Sequence, residues 1–295
     1  MEKNTEKPRI GIIGLGKMGS AISTRLSNHG FSLSGWNRSG LSKAKESSLN
    51  IQMEDSILAL SKSAEIIILS LSDDNAVIEV LNELCVNNLK NKLIVDTSTV
   101  SHTTLSNNYG IIKCSGADAI DAPISGWPKM IENGTAGIYI GGDDRLVQRF
   151  WSVAEVLSNR IEHVGKLGSG AAAKIVNNMM LATYWQALKE AIQVGIKAGL
   201  KAETILNILS KSPAANGTLA LKSDAILGRT NNVTFTISGI VEDLRMFDKT
   251  AKSLNVQAPA MLAAFASFYE YKKSGYGDRD FISMNDISNI IFALM

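Results

Sequence analysis

The sequence predicts an α/β domain with a mainly parallel β-sheet, followed by an all-α domain that contains one long helix. Short apolar runs alternate with amphipathic helical patterns through the first half of the chain, which is typical of βαβ units. A glycine-rich turn follows the first of these runs, and after Gly168 the pattern becomes helical and stays so. We therefore place a domain boundary here, with residues 1–167 in the first domain and residues 168–295 in the second.

In the first domain, strands are predicted where apolar runs are too short to be buried helices. These strands cover residues 9–14, 31–36, 65–71, 93–96, 117–121 and 138–141. Helices are predicted over residues 18–29 and 73–84, the second with Asp73 or Asp74 as its N-cap. Elements in this order predict right-handed crossovers and a mainly parallel sheet.

The second domain opens with a helix predicted over residues 171–198, a stretch that contains no proline and a single glycine, Gly195. Apolar residues lie on more than one side of this helix, so more than one of its faces must be buried. Further helices are predicted over residues 202–211, 241–254 and 261–273. We expect a helical bundle whose remaining apolar surface is covered by a second copy of the chain, in a homodimer or homotetramer.

The composition is that of a globular protein: 45% of the 295 residues are hydrophobic and 20% are charged. The formal net charge of +2 gives no reason to expect nucleic acid or an anionic membrane as a partner. Two cysteines and three histidines, none at metal-ligand spacing, predict neither a disulfide framework nor a metal site. The N-terminus is polar and no run approaches about 18 apolar residues, so we expect a soluble cytoplasmic protein.

The glycine-rich turn has the pattern G-x-G-x-x-G, from Gly14 to Gly19. Its first glycine permits the tight turn, the second lets a pyrophosphate approach the backbone, and the third lets the helix pack closely on the strand. Because the motif follows a predicted strand and opens a predicted helix, the sequence predicts a dinucleotide site of the Rossmann type. The predicted cofactor-binding residues of this turn are Gly14, Leu15, Gly16, Met18 and Gly19.

The end of the second predicted strand indicates which dinucleotide is preferred. NAD sites usually carry an Asp or Glu here, which binds the ribose 2′-hydroxyl, whereas this strand ends in Asn37, Arg38 and Ser39. The Arg38 guanidinium is suited to a 2′-phosphate, and Asn37 and Ser39 can add hydrogen bonds. These residues predict a preference for NADP(H), with NAD(H) also possible. A solvated surface arginine is the alternative interpretation of Arg38.

Three later segments carry further polar residues. They cover residues 96–99, residues 121–126 with 133–136, and residues 168–178. The first lies at a predicted strand end, where open α/β sheets bind ligands. The third opens the long helix and places Lys174 and Asn178 one turn apart on the same face.

Lys174 stands among small and apolar residues and is therefore a candidate for partial burial, which would lower its pKa toward neutrality. Such a lysine can exchange a proton with a substrate hydroxyl at working pH, and Asn178 can orient the same oxygen. The alternative interpretation is an amphipathic helix with an exposed lysine.

Together these motifs resemble the β-hydroxyacid dehydrogenase family, which includes 3-hydroxyisobutyrate dehydrogenase and the tartronate semialdehyde and glyoxylate/succinic semialdehyde reductases. The chain is more distantly similar to 6-phosphogluconate dehydrogenase. The resemblance extends from Gly11 to the segment Gly275–Phe281. It implies an NAD(P)-dependent oxidoreductase that interconverts a small β-hydroxyacid and its semialdehyde or keto acid. It also implies an active site between a Rossmann domain and an all-helical domain.

The resemblance implies roles for individual residues as well. Lys174 matches the catalytic general acid and base of the family, and Asn178 matches the residue that orients the substrate. The implied substrate-binding residues are Ser98, Ser125, Gly126, Trp127 and Asp243. Ser98 also lies near the nicotinamide in this comparison, and the strand end at residues 37–39 resembles that of NADP-using members.

Two positions depart from the family pattern. Trp127 stands where the family usually has the second glycine of Ser-Gly-Gly, and its ring either narrows the substrate pocket or packs elsewhere. Glu242 replaces the lysine of a Lys-Asp-Leu motif, which places a negative charge near a substrate carboxylate unless Arg245 compensates it. These departures leave two alternatives open. One is an imine reductase-like enzyme, because a cationic iminium tolerates a glutamate, and the other is a non-catalytic dinucleotide-binding module.

Overall fold

The computed structural model describes residues 7–286, which divide into two compact units. The first unit ends at Val176 and the second begins at Asn177, so the division falls within the long helix. Residues 1–6, part of the polar N-terminus considered above for a targeting signal, lie outside the described residues. Within residues 7–286, no helix is both long enough and apolar enough to cross a membrane.

A nine-stranded sheet forms the centre of the first unit. Its strands are β1 (Ile10–Ile13), β2 (Leu33–Trp36), β3 (Gln52–Met53), β4 (Ile66–Leu69), β5 (Leu93–Asp96), β6 (Asp118–Asp121), β7 (Ile124–Ser125), β8 (Gly137–Gly141) and β9 (Arg160–Gly165). Their order is β3-β2-β1-β4-β5-β6-β8-β7, with β9 paired to β8. The six strands from β3 to β6 in this order pair with one another in parallel, whereas β8 is antiparallel to β6 and β7. The winding reverses at β1, which lies between β2 and β4, and open α/β sheets bind ligands at such a point.

Helices cover both faces of this sheet. They are α1 (Lys17–Asn28), α2 (Lys43–Leu49), α3 (Ile57–Ser63), α4 (Asp74–Cys85), α5 (Thr104–Cys114), α6 (Pro128–Glu132) and α7 (Asp144–Leu157). Alternate strand residues enter different buried clusters: Ile12 and Ile68 belong to one, and Ile13 and Ile67 to the other. Residues of α1 and α7 complete the first cluster, and residues of α3, α4 and α5 complete the second. The first unit is therefore a doubly wound Rossmann domain.

The described part of the second unit is helical. Its helices are α8 (Ser169–Lys197), which begins in the first unit, α9 (Ala202–Ser210), α10 (Leu219–Ile226), α11 (Ile237–Ser253) and α12 (Pro259–Tyr271), followed by a π-helical turn (Lys272–Tyr276) and a 3-10 turn (Phe281–Asn285). Trp185 of α8 is fully buried, and its ring meets that of Phe281 edge-on with centroids 5.9 Å apart. The Asn285 side chain donates to the Trp185 carbonyl oxygen at 2.9 Å. These contacts hold the 3-10 turn against the middle of α8.

The predicted fold class is confirmed, and the predicted strands and helices are present with their ends moved by a few residues. Helix α11, for example, begins at Ile237 rather than at the predicted residue 241. The reason is a cap: the Thr236 hydroxyl accepts a hydrogen bond from Gly239 N at 3.0 Å.

Several observed elements are absent from the prediction. They are β3, β7, β9, α2, α3, α5, α6, α7 and α10. Most of them are short or polar, so their hydrophobic periodicity is weak. Helix α7 is different, because Leu146, Phe150 and Val153 recur at helical spacing behind its N-cap, Asp143. This helix could have been predicted from the sequence.

Candidate active site

The turn between β1 and α1 has the geometry that a phosphate cradle requires. Gly14 has a φ of +95°, a conformation that favours glycine, and a Cβ there would overlap the Ser70 carbonyl oxygen. A Cβ at Gly19 would overlap the Gly14 carbonyl oxygen, so α1 packs tightly on the turn. At Gly16, by contrast, a Cβ would meet no heavy atom within 4 Å. The middle glycine therefore faces open space, as the approach of a pyrophosphate requires.

The first turn of α1 is suited to an anion. Gly16 is its N-cap and provides no side-chain cap, and the first turn carries no acidic residue. The N–H groups and the positive end of the helix dipole are thus directed toward the space beside Gly16. Met18 packs its side chain on the core of the first unit. These features fit the pyrophosphate of a nicotinamide dinucleotide.

Asn37 joins the end of β2 to the glycine-rich turn. Its Oδ1 accepts a hydrogen bond from Leu15 N at 3.0 Å, and its Nδ2 donates to the Ser39 hydroxyl and the Gly40 carbonyl oxygen, both at 3.0 Å. Lys45 supports the same turn, since its Nζ donates to the Leu15 carbonyl oxygen at 2.9 Å. Asn37 therefore connects the two parts of the predicted cofactor site, and the Leu15 N–H has a partner inside the protein.

Arg38 lies on the surface beside Ser39. Its Nη1 is 3.2 Å from Glu79 Oε2 on α4, and the two side chains are 78% and 67% exposed. An ion pair with this exposure contributes at most about 1 kcal/mol. The Arg38 guanidinium is thus paired with Glu79. A ligand with a higher negative charge can replace Glu79 as its partner.

Asp96 and Ser98 form a buried polar group at the end of β5. The Ser98 hydroxyl accepts from Leu71 N, and Ser98 N donates to Asp96 Oδ1, both at 2.9 Å. The second oxygen, Asp96 Oδ2, is buried and has no hydrogen-bond partner among the described residues. Burial raises the pKa of Asp96 to about 6, although the hydrogen bonds from Ser98 act in the opposite direction. No role was predicted for Asp96 from the sequence. The feature that could have identified it is an acidic residue directly at the end of an apolar strand.

Three of the implied substrate-binding residues lie where β7 leads into α6. Ser125, Gly126 and Trp127 are each half-buried, and Trp127 is the N-cap of α6. Gly126 has a φ of +149°. A Cβ at Gly126 would lie 3.1 Å from Met130 Sδ and 3.2 Å from Ala136 Cβ. The turn is therefore packed closely against α6 and the segment that follows it.

Lys174 lies in the second turn of α8, within the first unit. It is 7% exposed, and its neighbours Ala171 and Ile175 are 3% and 4% exposed. The alternative interpretation of an exposed lysine is therefore wrong. Lysines are seldom buried to this extent, so the environment of Lys174 is specific and makes it a candidate functional group.

Within the second unit, Asn178 and Asp243 are in contact. Asn178 Nδ2 donates to Asp243 Oδ2 at 3.3 Å, and Asn178 Oδ1 accepts from Asn177 Nδ2 at 2.9 Å. The first bond joins α8 to α11. Together the two bonds fix the orientation of the Asn178 amide.

Glu242, at the position of the family lysine, is held between two cations. Its Oε2 is 3.0 Å from Arg245 Nη1, and its Oε1 is 2.9 Å from Lys272 Nζ. Lys272 comes from the π-helical turn after α12. One carboxylate and two cations give this group of three residues a formal charge of +1. Arg245 thus compensates the charge of Glu242, as considered above, and Lys272 adds a second cation that was not predicted.

Comparison with known proteins shows two matching family models. Residues 9–165, which are 157 of the 295 residues, match the NAD binding domain of 6-phosphogluconate dehydrogenase. Residues 168–287 match the model for the NAD-binding region of NADP-dependent 3-hydroxyisobutyrate dehydrogenase. The two matches together span nearly the whole chain.

Individual proteins are similar over the same extent. The 2-(hydroxymethyl)glutarate dehydrogenase of Eubacterium barkeri is 29% identical over an alignment of 287 residues that covers 95% of this chain and 93% of that protein. Glyoxylate/succinic semialdehyde reductase 1 of Arabidopsis thaliana is 29% identical over 92% of this chain and 95% of its own. The structure of Mycobacterium tuberculosis 3-hydroxyisobutyrate dehydrogenase with L-serine superposes with a TM-score of 0.82 at 22% identity, covering 95% of this chain and 98% of that one. The last comparison shows that the fold is shared.

Proposed function

The chain belongs to the β-hydroxyacid dehydrogenase family, and we propose that it interconverts a small β-hydroxyacid and the matching semialdehyde or keto acid, with NADP(H) preferred. It is an NAD(P)-dependent oxidoreductase that acts on CH–OH groups. The observation that carries the proposal is the burial of Lys174, which is 7% exposed on α8. The names of the two curated relatives, one for a hydroxyacid and the other for glyoxylate and a semialdehyde, support this class of substrate.

The residues proposed to bind the cofactor all belong to the first unit. When bound, the nicotinamide supplies or accepts the hydride. Gly16 and the first turn of α1 bind the pyrophosphate, while Arg38 and Ser39 bind the 2′-phosphate. The absence of an acid at residues 37–39 supports NADP(H) over NAD(H), because a carboxylate there would repel the 2′-phosphate.

Lys174 moves the proton in this proposal. In reduction its ammonium donates a proton to the carbonyl oxygen as that oxygen gains negative charge, and in oxidation the neutral amine takes the proton back. General acid–base catalysis of this kind contributes typically about 10²- to 10⁴-fold in rate. Burial keeps water away from the amine, which strengthens its interaction with the substrate oxygen.

Asn178 and the turn at Ser125 and Gly126 position the substrate. Asn178 Nδ2 carries two hydrogens, of which one is directed to Asp243. The second hydrogen is directed to the reacting oxygen in this proposal. The turn before α6 binds the carboxylate and so fixes the reacting carbon relative to the hydride.

The charge around Glu242 favours an anionic substrate over a cationic one. Because Arg245 and Lys272 both contact Glu242, the formal charge of these three residues together is +1, whereas that of Glu242 by itself is −1. A cationic iminium gains nothing from such a group, whereas a carboxylate is attracted to it. The two cations beside Glu242 therefore weaken the argument for an imine reductase that was based on the negative charge of Glu242.

We also propose that the enzyme is a homodimer or homotetramer. Three apolar side chains of α8, those of Val176, Met180 and Val194, are 65%, 69% and 70% exposed. Exposed apolar residues on one long helix support an interface with a second copy. Light scattering coupled to size-exclusion chromatography measures the mass, and a mass of one chain would contradict this part of the proposal.

The test of the proposed reaction is an absorbance assay of cofactor oxidation with NADPH and NADH in parallel, over a panel of semialdehydes, glyoxylate and cyclic imines. We expect turnover of a semialdehyde or glyoxylate, faster with NADPH. Lys174→Ala should lower kcat about 10²- to 10⁴-fold and leave the Kd for NADPH nearly unchanged. Turnover of imines alone would contradict the substrate assignment. Tight NADPH binding without turnover of any compound would favour a non-catalytic dinucleotide-binding module.

A further inference from the structure

Asp121, at the end of β6, binds the start of α8. It is 2% exposed. Its Oδ1 accepts a hydrogen bond from Gly168 N and its Oδ2 accepts one from Ala171 N, both at 2.7 Å. The first N–H groups of a helix have no partners within the helix, so this carboxylate acts as their cap from a distant part of the chain. Burial raises the pKa of Asp121, and the hydrogen bonds from these backbone N–H groups oppose that rise.

Three glycines allow the helix start to come this close. Gly168 has a φ of +91°, and a Cβ there would overlap a backbone carbonyl oxygen of the loop after β5. A Cβ at Gly170 would overlap a carbonyl oxygen of β8 and lie 2.8 Å from Asp121 Oδ2. A Cβ at Gly141 would lie 2.5 Å from Asp121 Oδ1. The first turn of α8 therefore packs closely on the backbone of the sheet and of the loop after β5, and the Asp121 carboxylate bonds it to the end of β6.

We infer that Asp121 is a positioning residue for Lys174, an inference that rests on the proposed role of Lys174 in proton transfer. Lys174 follows Ala171 by three residues, on the next turn of the same helix. Because residues 168–171 are fixed to the end of β6, the backbone of Lys174 has one position relative to that edge of the sheet. Both Asp121 oxygens are occupied by the helix, so Asp121 acts through Lys174 and not on the substrate.

The rate of a proton transfer is sensitive to small displacements of the group that transfers the proton. A misplacement of a catalytic group by about 1 Å can cost on the order of 10²-fold in rate. Hydrogen bonds to an ionised acceptor are about twice as strong as neutral ones, and here two of them converge on one buried carboxylate. Loss of one of these bonds leaves a buried N–H unsatisfied, which the helix start can relieve only by moving.

A double-mutant cycle with Asp121→Asn and Lys174→Ala tests the inference. Asparagine keeps the size of the side chain but turns one acceptor oxygen into an amide group that faces an N–H donor. We expect D121N to lower kcat about 10²-fold while the Kd for NADPH, from a fluorescence titration, stays nearly unchanged. In the K174A background, D121N should have no further effect on kcat, because the two residues act as one unit.

Asp143→Asn is the matched control. Asp143 caps α7 by accepting from Arg145 N at 3.0 Å, and α7 carries no residue of the proposed site. D143N should leave kcat unchanged. The thermal midpoint of every variant is measured, and the assay is run well below the lowest of them, so that loss of folded protein does not imitate loss of kcat.

In Gly168→Ala, the added Cβ would overlap the carbonyl oxygen of the loop after β5 and so displace the same helix start. This variant should lower kcat as D121N does, and the loss should again disappear in the K174A background. A normal kcat in D121N, or an effect that adds in full to that of K174A, overturns the inference. Wild-type turnover in K174A overturns the proposed role of Lys174 instead, so the two failures are distinguishable.

Discussion

Arg38 Nη1 lies 3.2 Å from Glu79 Oε2, and this ion pair brings an acid from α4 to the group proposed to bind a 2′-phosphate. The pair is exposed on both sides and contributes at most about 1 kcal/mol. A charge-assisted hydrogen bond from arginine to a phosphate oxygen contributes about 1.5–3 kcal/mol. If the proposed 2′-phosphate binds Arg38, we therefore expect it to displace Glu79, which would make Glu79 a weak competitor of the cofactor rather than part of its site.

Replacement of Arg38 by alanine should raise the KM for NADPH about 10- to 100-fold, the equivalent of one such hydrogen bond, and leave the KM for NADH nearly unchanged. Steady-state kinetics with both cofactors at a saturating concentration of the carbonyl substrate measure the change. Glu79→Gln is the control, because it removes the competitor and leaves the guanidinium in place. E79Q should not raise the KM for NADPH, and an equal effect of R38A on both cofactors would contradict the assignment.

Gly16 and Gly110 offer a matched test of the phosphate cradle. An added Cβ meets nothing within 4 Å at either position, so neither Gly16→Ala nor Gly110→Ala should introduce a steric clash in the protein without cofactor. At Gly16, however, the methyl group occupies the space through which the pyrophosphate approaches. We expect NADPH to raise the midpoint of the wild type and of G110A, and to raise that of G16A far less. An unchanged shift in G16A would place the pyrophosphate elsewhere.

Asp96 should make the stability of the protein depend on pH in a defined direction. Its pKa rises from 3.8 to about 6 on folding, so the folded state binds more protons than the unfolded state between these values. The free energy of unfolding therefore falls as the pH rises from about 4 to 6 and stays lower above that range. A shift of this size corresponds to about 3 kcal/mol.

Asp96→Asn removes the free-energy cost of burying an ionised carboxylate, and it keeps an acceptor oxygen for the Ser98 N–H. The variant should be more stable than the wild type at pH 7, and the difference should shrink to near zero at pH 4. Urea titrations at several pH values measure it. Asp143→Asn, which changes an exposed acid, should show no such pH-dependent gain. A D96N variant that is less stable than the wild type at pH 7 would contradict a destabilising, buried Asp96 carboxylate.

Much of this fold follows from local patterns. The apolar strands β1, β4 and β5 and the long helix α8 are predictable because burial repeats at short, regular intervals in the sequence. The glycine-rich turn is predictable for a similar reason, since each of its glycines meets a local steric need. Strand β9 does not show such a pattern, because its apolar and polar residues do not alternate regularly. Of its first four residues, three are exposed: Arg160, Glu162 and His163.

Contacts between distant residues are the part that sequence reasoning could not supply. Glu79 reaches Arg38 across 41 positions, and Lys272 reaches Glu242 across 30. Nothing local distinguishes these charged residues from others on the surface. Their partners are set by how α4 and the π-helical turn pack, which depends on the whole unit.

The group Glu242, Arg245 and Lys272 yields a last prediction about the substrate. Lys272→Ala removes the cation that is 2.9 Å from Glu242 and so changes the formal charge of these three residues from +1 to zero. The group lies next in the chain to Asp243, which binds the amide of Asn178. We therefore expect the KM for a carboxylate-bearing semialdehyde to rise about 5-fold, the effect of about 1 kcal/mol at a partly exposed charge.

Lys273→Ala is the matched control, because Lys273 is the next residue, also a lysine, and pairs with Glu270 at 3.2 Å rather than with Glu242. K273A should leave the KM unchanged. An aldehyde without a carboxylate distinguishes charge from shape: its KM should be the same in the wild type and in K272A. Added salt should reduce the difference between the wild type and K272A for the carboxylate-bearing substrate, since screening weakens the attraction that Lys272 supplies. Equal effects of K272A on both aldehydes would show that Lys272 supports the fold of α11 and does not recognise the carboxylate.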